Sequence, residues 1–492
     1  MSLRALSVVS EAYPLVKTGG LADVAGALPA ALKPFDVAMT TILPGYKPVL
    51  KALRGAQVLH TYSDLLGAEA RLIAGNAGGL DVIVLDSPEL YDRDGGPYLD
   101  PTTGKDWADN WARYGALGRA AADLAEGRIG DITFDIVHGH DWQGALAPAY
   151  LHYDGAAVPS IITIHNIAFP GWFAPEVFPR LGLPQRAYSI EGVEYFGGVG
   201  FLKAGLHTAD AITTVSPTYA EEIRSKEFGM GLEGLIRARG DRVVGIVNGI
   251  DTTVWNPASD AALVAQYDAR ALHLRRQNRR AVEKAFGLDE AFGPIFCVVS
   301  RLTTQKGMDV LAALTDDLVA MGGRLALLGS GDTKLETAFI AASNKHRGKI
   351  GVTIGYDEQL SHLLQGGADA ILIPSRFEPC GLTQLYGLRY GCVPVAACTG
   401  GLADTIIDAN EAAVNAGVGT GFLFHGVARD GLTGAIARTI ARYANRKVWK
   451  SLQEQGMRAD YSWARSGRQY ADLYRRFART PAHTARASVQ HS

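Results

Sequence analysis

The sequence predicts an α/β protein built from two doubly wound domains, and two observations carry this prediction. Short apolar segments rich in β-formers alternate with segments of helical spacing along the whole chain. In addition, the hexapeptide Thr-Gly-Gly-Leu-Ala-Asp occurs twice, at Thr18–Asp23 and at Thr399–Asp404, each time between a predicted strand and a predicted helix. We therefore expect two similar α/β domains that face each other, each offering a Gly-rich turn to a shared cleft.

Length and composition restrict the function further. The 492 residues are enough for two to four domains, and a net charge of −2 offers no positive field for a nucleic acid or an anionic membrane. Four cysteines form neither a disulfide framework nor a zinc pattern, and no apolar window reaches the length of a membrane span. We expect a cytoplasmic protein with no cofactor; the sequence does not indicate its oligomeric state.

The strands of the first half are separated by long insertions. The predicted strands are Ala5–Val9, Val37–Leu43, Asp81–Leu85, Asp135–His138, Ser160–His165, Asp210–Val215 and Val243–Val247. The turn-forming Asn248-Gly249 follows the last of them and marks the domain junction.

The second half alternates more regularly. Its predicted strands are Pro294–Ser300, Arg324–Leu328, Lys349–Ile354, Ala368–Ile373 and Val393–Ala397, and Met308–Val319 has the spacing of a helix. Near-continuous apolar strands are typical of a parallel sheet covered on both faces. The predicted division is residues 1–247, 248–458, a helix within 459–480, and a frayed tail over 481–492.

Polar residues follow these strands at the edge where open α/β sheets bind ligands. Arg301 and Lys306, five residues apart beside Gly-flanked helix starts, suit a diphosphate, because cations and free backbone N–H groups both attract phosphate oxygens. Alternatively, Arg301 and Lys306 are ordinary surface charges in contact with water. Many of the 57 glycines also fall at strand ends, where backbone can approach a ligand: Gly19, Gly20, Gly307, Gly329, Gly331, Gly381, Gly400 and Gly401.

The phosphate is expected to belong to a substrate. Gly329-x-Gly331 lacks the third glycine of a dinucleotide-binding motif, since Lys334 occupies its place, and the chain has no Walker A sequence.

The His138-Gly139-His140 sequence leaves another class of enzyme open. Two histidines after a strand can ligate zinc in a metal-dependent hydrolase, with His165 and Asp369 or Asp404 as further ligands. Alternatively, the two histidines pack beneath the sheet edge and are hydrogen-bonded there, which is the more common situation and requires no metal.

Several longer motifs, taken together, resemble the bacterial glycogen synthase and plant starch synthase family. They are Lys17–Val24, His138–Trp142, Thr163–Asn166, Arg301–Gly307 and Pro374–Leu382. The resemblance implies two Rossmann-like doubly wound domains of the GT-B architecture with a deep cleft between them, and a last helix that crosses back to the first domain. It also implies a retaining transfer of glucose from ADP-glucose to the non-reducing end of an α-1,4-glucan, with UDP-glucose as the alternative donor and a non-catalytic glucan-binding protein as the alternative class.

The resemblance also implies roles for residues of the first domain. Lys17 contacts the donor or the glucan, and Asp23 supports its loop. His165 holds the transferred glucose, and Asp141 lies near the positive charge that develops on the sugar or orders the strand end.

In the second domain the implied roles concern the donor. Arg301 and Lys306 bind the diphosphate and Glu378 holds the 3-hydroxyl of glucose, while the turn from Thr399 caps the distal phosphate. The remaining residues implied to bind substrate are Gly19, Gly20, Asn166, Asn248, Cys380, Gly381, Leu382, Gly400 and Gly401. The choice between same-face attack and a covalent glycosyl-enzyme stays open.

Three positions depart from the family pattern. Tyr386 stands where related glycosyltransferases often have a second glutamate, and Pro170 stands where glutamine is common. The stretch around Phe201–Lys203 is unusually rich in glycine. These departures concern the loops on the acceptor side.

Overall fold

The structure is a computed structural model that describes residues 2–130 and 132–478, so the predicted tail over 481–492 lies outside it. The described chain divides into two compact units. Unit 1 comprises residues up to Thr214, Glu222–Ile246 and the chain from Ala464 onward, and unit 2 comprises Val215–Glu221 and Val247–Trp463.

Twelve strands and nine helices are described between the start of the chain and Gly245. The strands are β1 Leu3–Val8, β2 Val37–Pro44, β3 Arg54–Leu65, β4 Ala68–Ala77, β5 Leu80–Asp86, β6 Ile136–His140, β7 Ser160–Ile164, β8 Trp172–Phe173, β9 Glu194–Tyr195, β10 Gly198–Gly200, β11 Ala211–Thr214 and β12 Val243–Gly245. The helices are α1 Gly20–Leu32, α2 Lys47–Ala52, α3 Pro88–Tyr91, α4 Asn110–Ala125, α5 Asp141–Gly144, α6 Leu146–Asp154, α7 Phe201–Thr208, α8 Pro217–Glu222 and α9 Glu233–Ala238.

Nine of these strands form one sheet in the order β12-β11-β7-β6-β1-β2-β5-β4-β3. The seven strands from β12 to β5 pair in parallel, as predicted, and this places the ends of β1, β6 and β7 side by side. The hairpin of β3 and β4 extends the sheet with antiparallel pairing. A second, three-stranded sheet has the order β8-β10-β9.

The hairpin was absent from the sequence-based prediction. β3 is exposed along most of its length, so it lacks the apolar run by which the parallel strands are recognised.

Unit 2 contains a six-stranded parallel sheet in the order β15-β14-β13-β16-β17-β18. Its strands are β13 Ile295–Val299, β14 Arg324–Gly329, β15 Ile350–Ile354, β16 Ala370–Ile373, β17 Val393–Ala397 and β18 Phe422–Phe424. The helices of the chain after Gly245, of which the last lies almost wholly in unit 1, are α10 Arg275–Phe286, α11 Met308–Ala312, α12 Thr315–Ala320, α13 Thr333–Lys345, α14 Glu358–Gly367, α15 Thr383–Tyr390, α16 Gly400–Thr405, α17 Glu411–Ala416, α18 Arg429–Ala444, α19 Arg446–Arg458 and α20 Trp463–Phe477.

Both faces of this sheet are covered, as the apolar strands predicted. In β14, Leu325 and Leu327 pack into one hydrophobic cluster, whereas Ala326 and Leu328 pack into another. Alternation across the pleat therefore buries every one of these side chains.

The predicted helix over Met308–Val319 is two helices, and the single-helix expectation was wrong. The Thr315 hydroxyl donates a hydrogen bond to the Ala312 carbonyl, at 3.1 Å, where α11 ends. A side chain thus satisfies a carbonyl that a continuous helix would have satisfied with a backbone N–H.

The units also depart from the predicted boundaries. Val215–Glu221 belongs with unit 2, where the Ser216 hydroxyl donates to the Pro379 carbonyl and Thr218 donates to the Asp404 carboxylate from its backbone N and its hydroxyl. The 459–463 segment also belongs with unit 2, and the helix from Ala464 belongs with unit 1.

Candidate active site

The first Gly-rich turn is held by a buried acid. Glu11 lies just beyond β1, and its carboxylate accepts hydrogen bonds from the Thr18 backbone N–H and from the Thr18 hydroxyl. Burial raises the pKa of Glu11, while the bonds from Thr18 act in the opposite direction. Glu11 was not among the predicted site residues; its position between a strand end and the Gly-rich turn is the signal that could have identified it.

Beyond Thr18 this turn opens into unoccupied space. A Cβ built on Gly19 or on Gly20 meets no atom within 4 Å. Next to them, the Lys17 ammonium donates to the Asp23 carboxylate at 2.7 Å, and both side chains are partly exposed. The geometry therefore fits the expectation that Asp23 supports the Lys17 loop.

His138, in the middle of β6, has both ring nitrogens in hydrogen bonds. Nδ1 lies 2.6 Å from the Tyr474 hydroxyl and Nε2 lies 2.5 Å from the Thr163 hydroxyl. Burial lowers the pKa of His138 to about 3. Because zinc ligation would require one of these bonds to break, the geometry disfavours the metal-dependent hydrolase. Across residues 2–130 and 132–478, no group of three or more His, Cys, Asp or Glu side chains is arranged to hold a metal ion.

His140 and His165 form the next pair. His140 Nδ1 lies 3.0 Å from His165 Nε2, and the two rings are stacked with centroids 5.3 Å apart. Burial lowers the pKa of His165 to about 3 and that of His140 well below its usual value. Both imidazoles are therefore neutral near pH 7 and can act on a sugar as hydrogen-bonding groups without charge.

Asp141 joins the ends of β6 and β7. Its Oδ1 accepts hydrogen bonds from the backbone N–H groups of His165, at 2.7 Å, and Asn166, at 3.3 Å. Its φ of +50° lies in the left-handed region, which aspartate adopts more readily than most residues. Burial raises the pKa of Asp141 to about 7, against the effect of the two backbone hydrogen bonds.

In unit 2, Lys306 and Glu378 form a largely buried ion pair. The Lys306 ammonium donates to Glu378 Oε2 at 2.5 Å, and the Ser375 hydroxyl donates to the same oxygen at 2.8 Å. Ser375 was noted after its strand but was not predicted as a site residue. Its position directly beyond β16 is the signal that could have identified it.

Arg301 is exposed and makes no side-chain hydrogen bond or ion pair within the described ranges. The loop that carries it is nevertheless anchored. Gly307, at a φ of +68°, lies against the Pro374 carbonyl, where a Cβ would overlap. The Arg376 guanidinium makes two hydrogen bonds to the Asp309 carboxylate, at 2.6 and 2.8 Å. The loop from Arg301 and the loop from Ser375 are thus fixed to each other.

The second Gly-rich turn is packed against the Glu378 loop. The Gly401 N–H donates to the carbonyls of Glu378 and Pro379, both at 3.1 Å. A Cβ on Gly400 would overlap the Glu378 carbonyl oxygen, and one on Gly401 would lie 2.5 Å from the Cys380 Cα. Thr399 is buried at the start of this turn.

The remaining predicted residues of unit 2 surround that loop. Burial raises the pKa of Cys380 to about 12, so its thiol stays protonated, and the Asn248 backbone is hydrogen-bonded to it. The Asn248 side-chain oxygen is buried and has no hydrogen-bond partner among the described residues. Gly381 and Leu382 precede α15, with Gly381 at a φ of +71°.

Six of the glycines predicted to approach a ligand are also required by packing within the chain. Beside Gly307, Gly329, Gly331, Gly381, Gly400 and Gly401, a Cβ would come within 2.5 Å of an atom of the protein itself. The contact of their backbone with a ligand stays a prediction. Open space remains at Gly19 and Gly20, the two positions of this set where backbone is free to meet a ligand.

The predicted residues thus form two groups. The N-terminal group, in unit 1, brings together Lys17, Gly19, Gly20, Asp23, Asp141, His165 and Asn166. The C-terminal group, in unit 2, brings together Asn248, Arg301, Lys306, Glu378, Cys380, Gly381, Leu382, Thr399, Gly400 and Gly401.

Comparison with known proteins identifies the family. Residues 4–238 match the starch synthase catalytic domain family, and residues 283–455 match the glycosyl transferases group 1 family. The chain is 60% identical to a glycogen synthase of Novosphingobium aromaticivorans over 478 residues, which cover 96% of this chain and 98% of that one. It belongs to the glycogen synthase family. A second member, from Rhizobium rhizogenes, is 55% identical over 475 residues, which cover 96% of this chain and 99% of that protein.

Solved structures place the glycogen synthase fold in the GT-B class. The catalytic domain of starch synthase IV from Arabidopsis thaliana, bound to ADP and acarbose, is 30% identical with a TM-score of 0.86, and the match covers 97% of this chain and all of that one. A sucrose-phosphate synthase from Thermosynechococcus elongatus shares the fold at 16% identity, with a TM-score of 0.57 over 97% of this chain and 99% of that one. The two Rossmann-like domains predicted from the sequence are confirmed. No helix in the described part of the chain is long and apolar enough to cross a membrane.

Proposed function

We propose that this member of the glycogen synthase family transfers glucose from ADP-glucose to the non-reducing end of an α-1,4-glucan with retention of the anomeric configuration. The observation that supports this most is the C-terminal group. Arg301, an exposed cation with no partner among the described residues, stands in the same loop as Lys306, whose ammonium is held by Glu378.

Arg301 and Lys306 act on the leaving group in this proposal. Breaking a glycosyl–phosphate bond places negative charge on the departing diphosphate and positive charge on the sugar. Cations already fixed beside the phosphate bind that transition state more strongly than the intact donor, and so lower the barrier. Glu378 orients the ammonium and holds the 3-hydroxyl of the glucose.

His165, Asp141 and Asn166 act on the sugar. A neutral His165 binds a glucose hydroxyl without adding positive charge beside an oxocarbenium-like centre. Asp141 is ionised above about pH 7 and then stabilises that centre. We expect the acceptor hydroxyl to attack from the side that the phosphate leaves, with the phosphate taking its proton.

Lys17 and Asp23 belong to the turn whose glycines face open space. Lys17 contacts the donor or the glucan in this proposal, and Asp23 holds it in place. At the other turn, the distal phosphate is capped at Thr399 in this proposal, since the Gly401 N–H already donates to the Glu378 and Pro379 carbonyls.

The adenine nucleotide is supported by the starch synthase structure, which holds ADP. The test is incubation of the purified protein with glycogen and radiolabelled ADP-glucose or UDP-glucose in parallel. We expect label in glycogen from ADP-glucose at a kcat/KM at least ten times higher than from UDP-glucose. Preference for UDP-glucose would reject the donor, and no incorporation from either would reject the transferase.

A further inference from the structure

A cavity of about 370 Å³ opens beside the C-terminal end of α19, and every residue that lines it belongs to unit 2. Its volume is within the range of sites for small molecules. Three segments form its wall: the chain around residue 250, the side of α15, and residues 457–462. Of the lining residues, none belongs to the N-terminal or the C-terminal group, so the cavity is separate from the candidate active site.

Hydrogen bonds hold the wall of this cavity in place. The Ile250 N–H donates to the Tyr461 carbonyl at 2.8 Å, and Ile250 pairs in parallel with Ser462. The Tyr461 hydroxyl donates to the Thr405 carbonyl at 2.7 Å, and the Ser462 N–H donates to the Asp460 carboxylate at 2.9 Å. The wall is therefore ordered before a ligand binds, which reduces the conformational entropy lost on binding.

Two arginines line the cavity, and neither guanidinium is paired with a carboxylate in the described part of the chain. Arg389 donates from Nε to the Trp255 carbonyl and from Nη2 to Asn256 Oδ1, both at 3.3 Å, and its Nη1 has no acceptor there. Arg458 is exposed and donates to no group within residues 2–130 and 132–478. The cavity thus contains two cations that lack a paired anion.

The same cavity is lined by groups that bind hydroxyls. The hydroxyls of Thr252 and Ser462 have no hydrogen-bond partner among the described residues, and the Asp460 carboxylate is an acceptor. A carboxylate repels a bare anion but accepts a hydrogen bond from a hydroxyl. Beside two unpaired cations, it therefore favours a ligand that is anionic at one end and carries hydroxyls elsewhere.

The helix ends offer another explanation for the two arginines. Each lies in the last turn of its helix, Arg389 in α15 and Arg458 in α19, where a cation offsets the partial negative charge of the C-terminus. This effect accounts for a positive charge at each helix end separately. It does not account for both cations lining one cavity together with two unpaired hydroxyls.

The cavity adjoins elements that carry residues of the C-terminal group. Ile250 is two residues beyond Asn248, and α15 begins directly after Gly381 and Leu382. A ligand in the cavity would therefore contact segments that are continuous with the C-terminal group without occupying that group.

We infer that this cavity binds a small phosphomonoester that carries hydroxyl groups. The two guanidinium groups bind the phosphate, whose charge of about −2 and three terminal oxygens match them better than a carboxylate does. Asp460, Thr252 and Ser462 form hydrogen bonds with the hydroxyls. The inference is independent of the nucleotide in the donor and of the transfer reaction itself.

The test measures the binding of radiolabelled glycerol 3-phosphate by equilibrium dialysis. Arg458→Gln removes one charge from an exposed helix end, so the melting temperature should not change, and Arg458→Lys keeps the charge. The matched control is Arg347→Gln, because Arg347 is also exposed, lies in unit 2 and has no ion pair among the residues that the structure describes. Any weak binding of the probe at the C-terminal group is common to all four proteins and cancels in the comparison.

We expect wild-type binding to saturate at one glycerol 3-phosphate per chain, with affinity about tenfold lower in Arg458→Gln, within about threefold of wild type in Arg458→Lys, and unchanged in the control. Glycerol should not displace the label, and inorganic phosphate should displace it less effectively than the unlabelled ester. Undiminished binding by a folded Arg458→Gln protein would overturn the inference. Displacement by inorganic phosphate as effective as that by the ester would also overturn it, because the hydroxyl contacts would then contribute nothing.

Discussion

The hexapeptide Thr-Gly-Gly-Leu-Ala-Asp stands in both units, but its glycines have different surroundings in the two copies. Next to Gly19 and Gly20 the space of a side chain is open, whereas at Gly400 and Gly401 it is filled by the backbone of the Glu378 loop. The backbone of the first copy is therefore accessible. In the second copy, the absence of side chains allows the start of α16 to pack against the Glu378 loop. Identical residues do not by themselves reveal which of these purposes a glycine serves.

The acids Glu378 and Asp141 also have different surroundings in the two groups. Glu378 is paired with the Lys306 ammonium and the Ser375 hydroxyl. Asp141 accepts hydrogen bonds from the backbone N–H groups of His165 and Asn166, and burial raises its pKa to about 7. The charge of Glu378 is thus paired with a protein cation, whereas Asp141 is held by backbone N–H groups; under the proposed function its ionised form is available to stabilise positive charge on a substrate.

The largest effect is expected from removing the compensated cation. Lys306→Gln keeps a donor for Glu378 but removes the charge that stabilises the leaving diphosphate. We expect kcat to fall about 10³-fold, equal to about 4 kcal/mol of transition-state stabilisation, with little change in the melting temperature. Lys345→Ala is the control, because that lysine forms an exposed ion pair with Asp316 in the same unit. A rate within threefold of wild type would show that Lys306 does not act on the phosphate.

The raised pKa of Asp141 should make the stability of the protein depend on pH. A carboxylic acid whose pKa is raised by folding binds more protons in the native state, so the wild type loses stability as pH rises from about 4 to about 7. Asp141→Asn lacks this loss and keeps both an oxygen acceptor and tolerance of the left-handed backbone. We expect the free energy of unfolding of the variant to exceed that of the wild type by about 4 kcal/mol at pH 8 and to converge with it near pH 4.

Chemical denaturation at pH 4, 6 and 8 measures this difference. The buried His138 and His165 titrate with the opposite sign, because their lowered pKa values make the fold lose stability as pH falls below about 6.5. Their contribution is common to both proteins and cancels in the comparison. A difference that does not change with pH would show that Asp141 titrates near its ordinary pKa.

The smallest effects are expected from substitutions at the glycines of the two copies, measured as changes in the free energy of unfolding. Gly401→Ala forces a methyl group against the Cys380 backbone and should lower the free energy of unfolding by about 2 kcal/mol. Gly19→Ala should leave stability within about 0.5 kcal/mol of wild type, because its Cβ enters open space and its φ of −153° suits alanine. Gly19→Ala should instead raise a substrate KM. Equal melting temperatures for the two variants would remove the distinction between the copies.

Sequence patterns were sufficient for the parts of the fold that repeat locally. Apolar strands followed by helical spacing located both parallel sheets, and the residues beyond strand ends included Asp141, His165 and Lys306. The exposed β3 gave no such signal, and the break at Thr315 depends on one hydroxyl that could equally well have faced solvent.

Contacts between distant segments were beyond the sequence. The bond of His138 to Tyr474 joins residues 336 positions apart, and it is the contact that disfavours metal ligation. Likewise, the space beside Gly19 and the overlap at Gly401 depend on which loop lies opposite, which a motif of six residues does not encode.

The membership of α20 in unit 1 affects the order in which the two units can fold during synthesis. Gly467 packs against the Ala31 carbonyl in α1, and Tyr474 reaches His138, so the first unit is completed by a helix that follows unit 2 in the chain. At 5–20 residues per second, a ribosome needs on the order of ten to forty seconds to synthesise the roughly two hundred intervening residues. During that time the nascent first unit has its α1 surface and His138 uncovered. Unit 2 can fold before unit 1 is finished, although unit 1 emerges first.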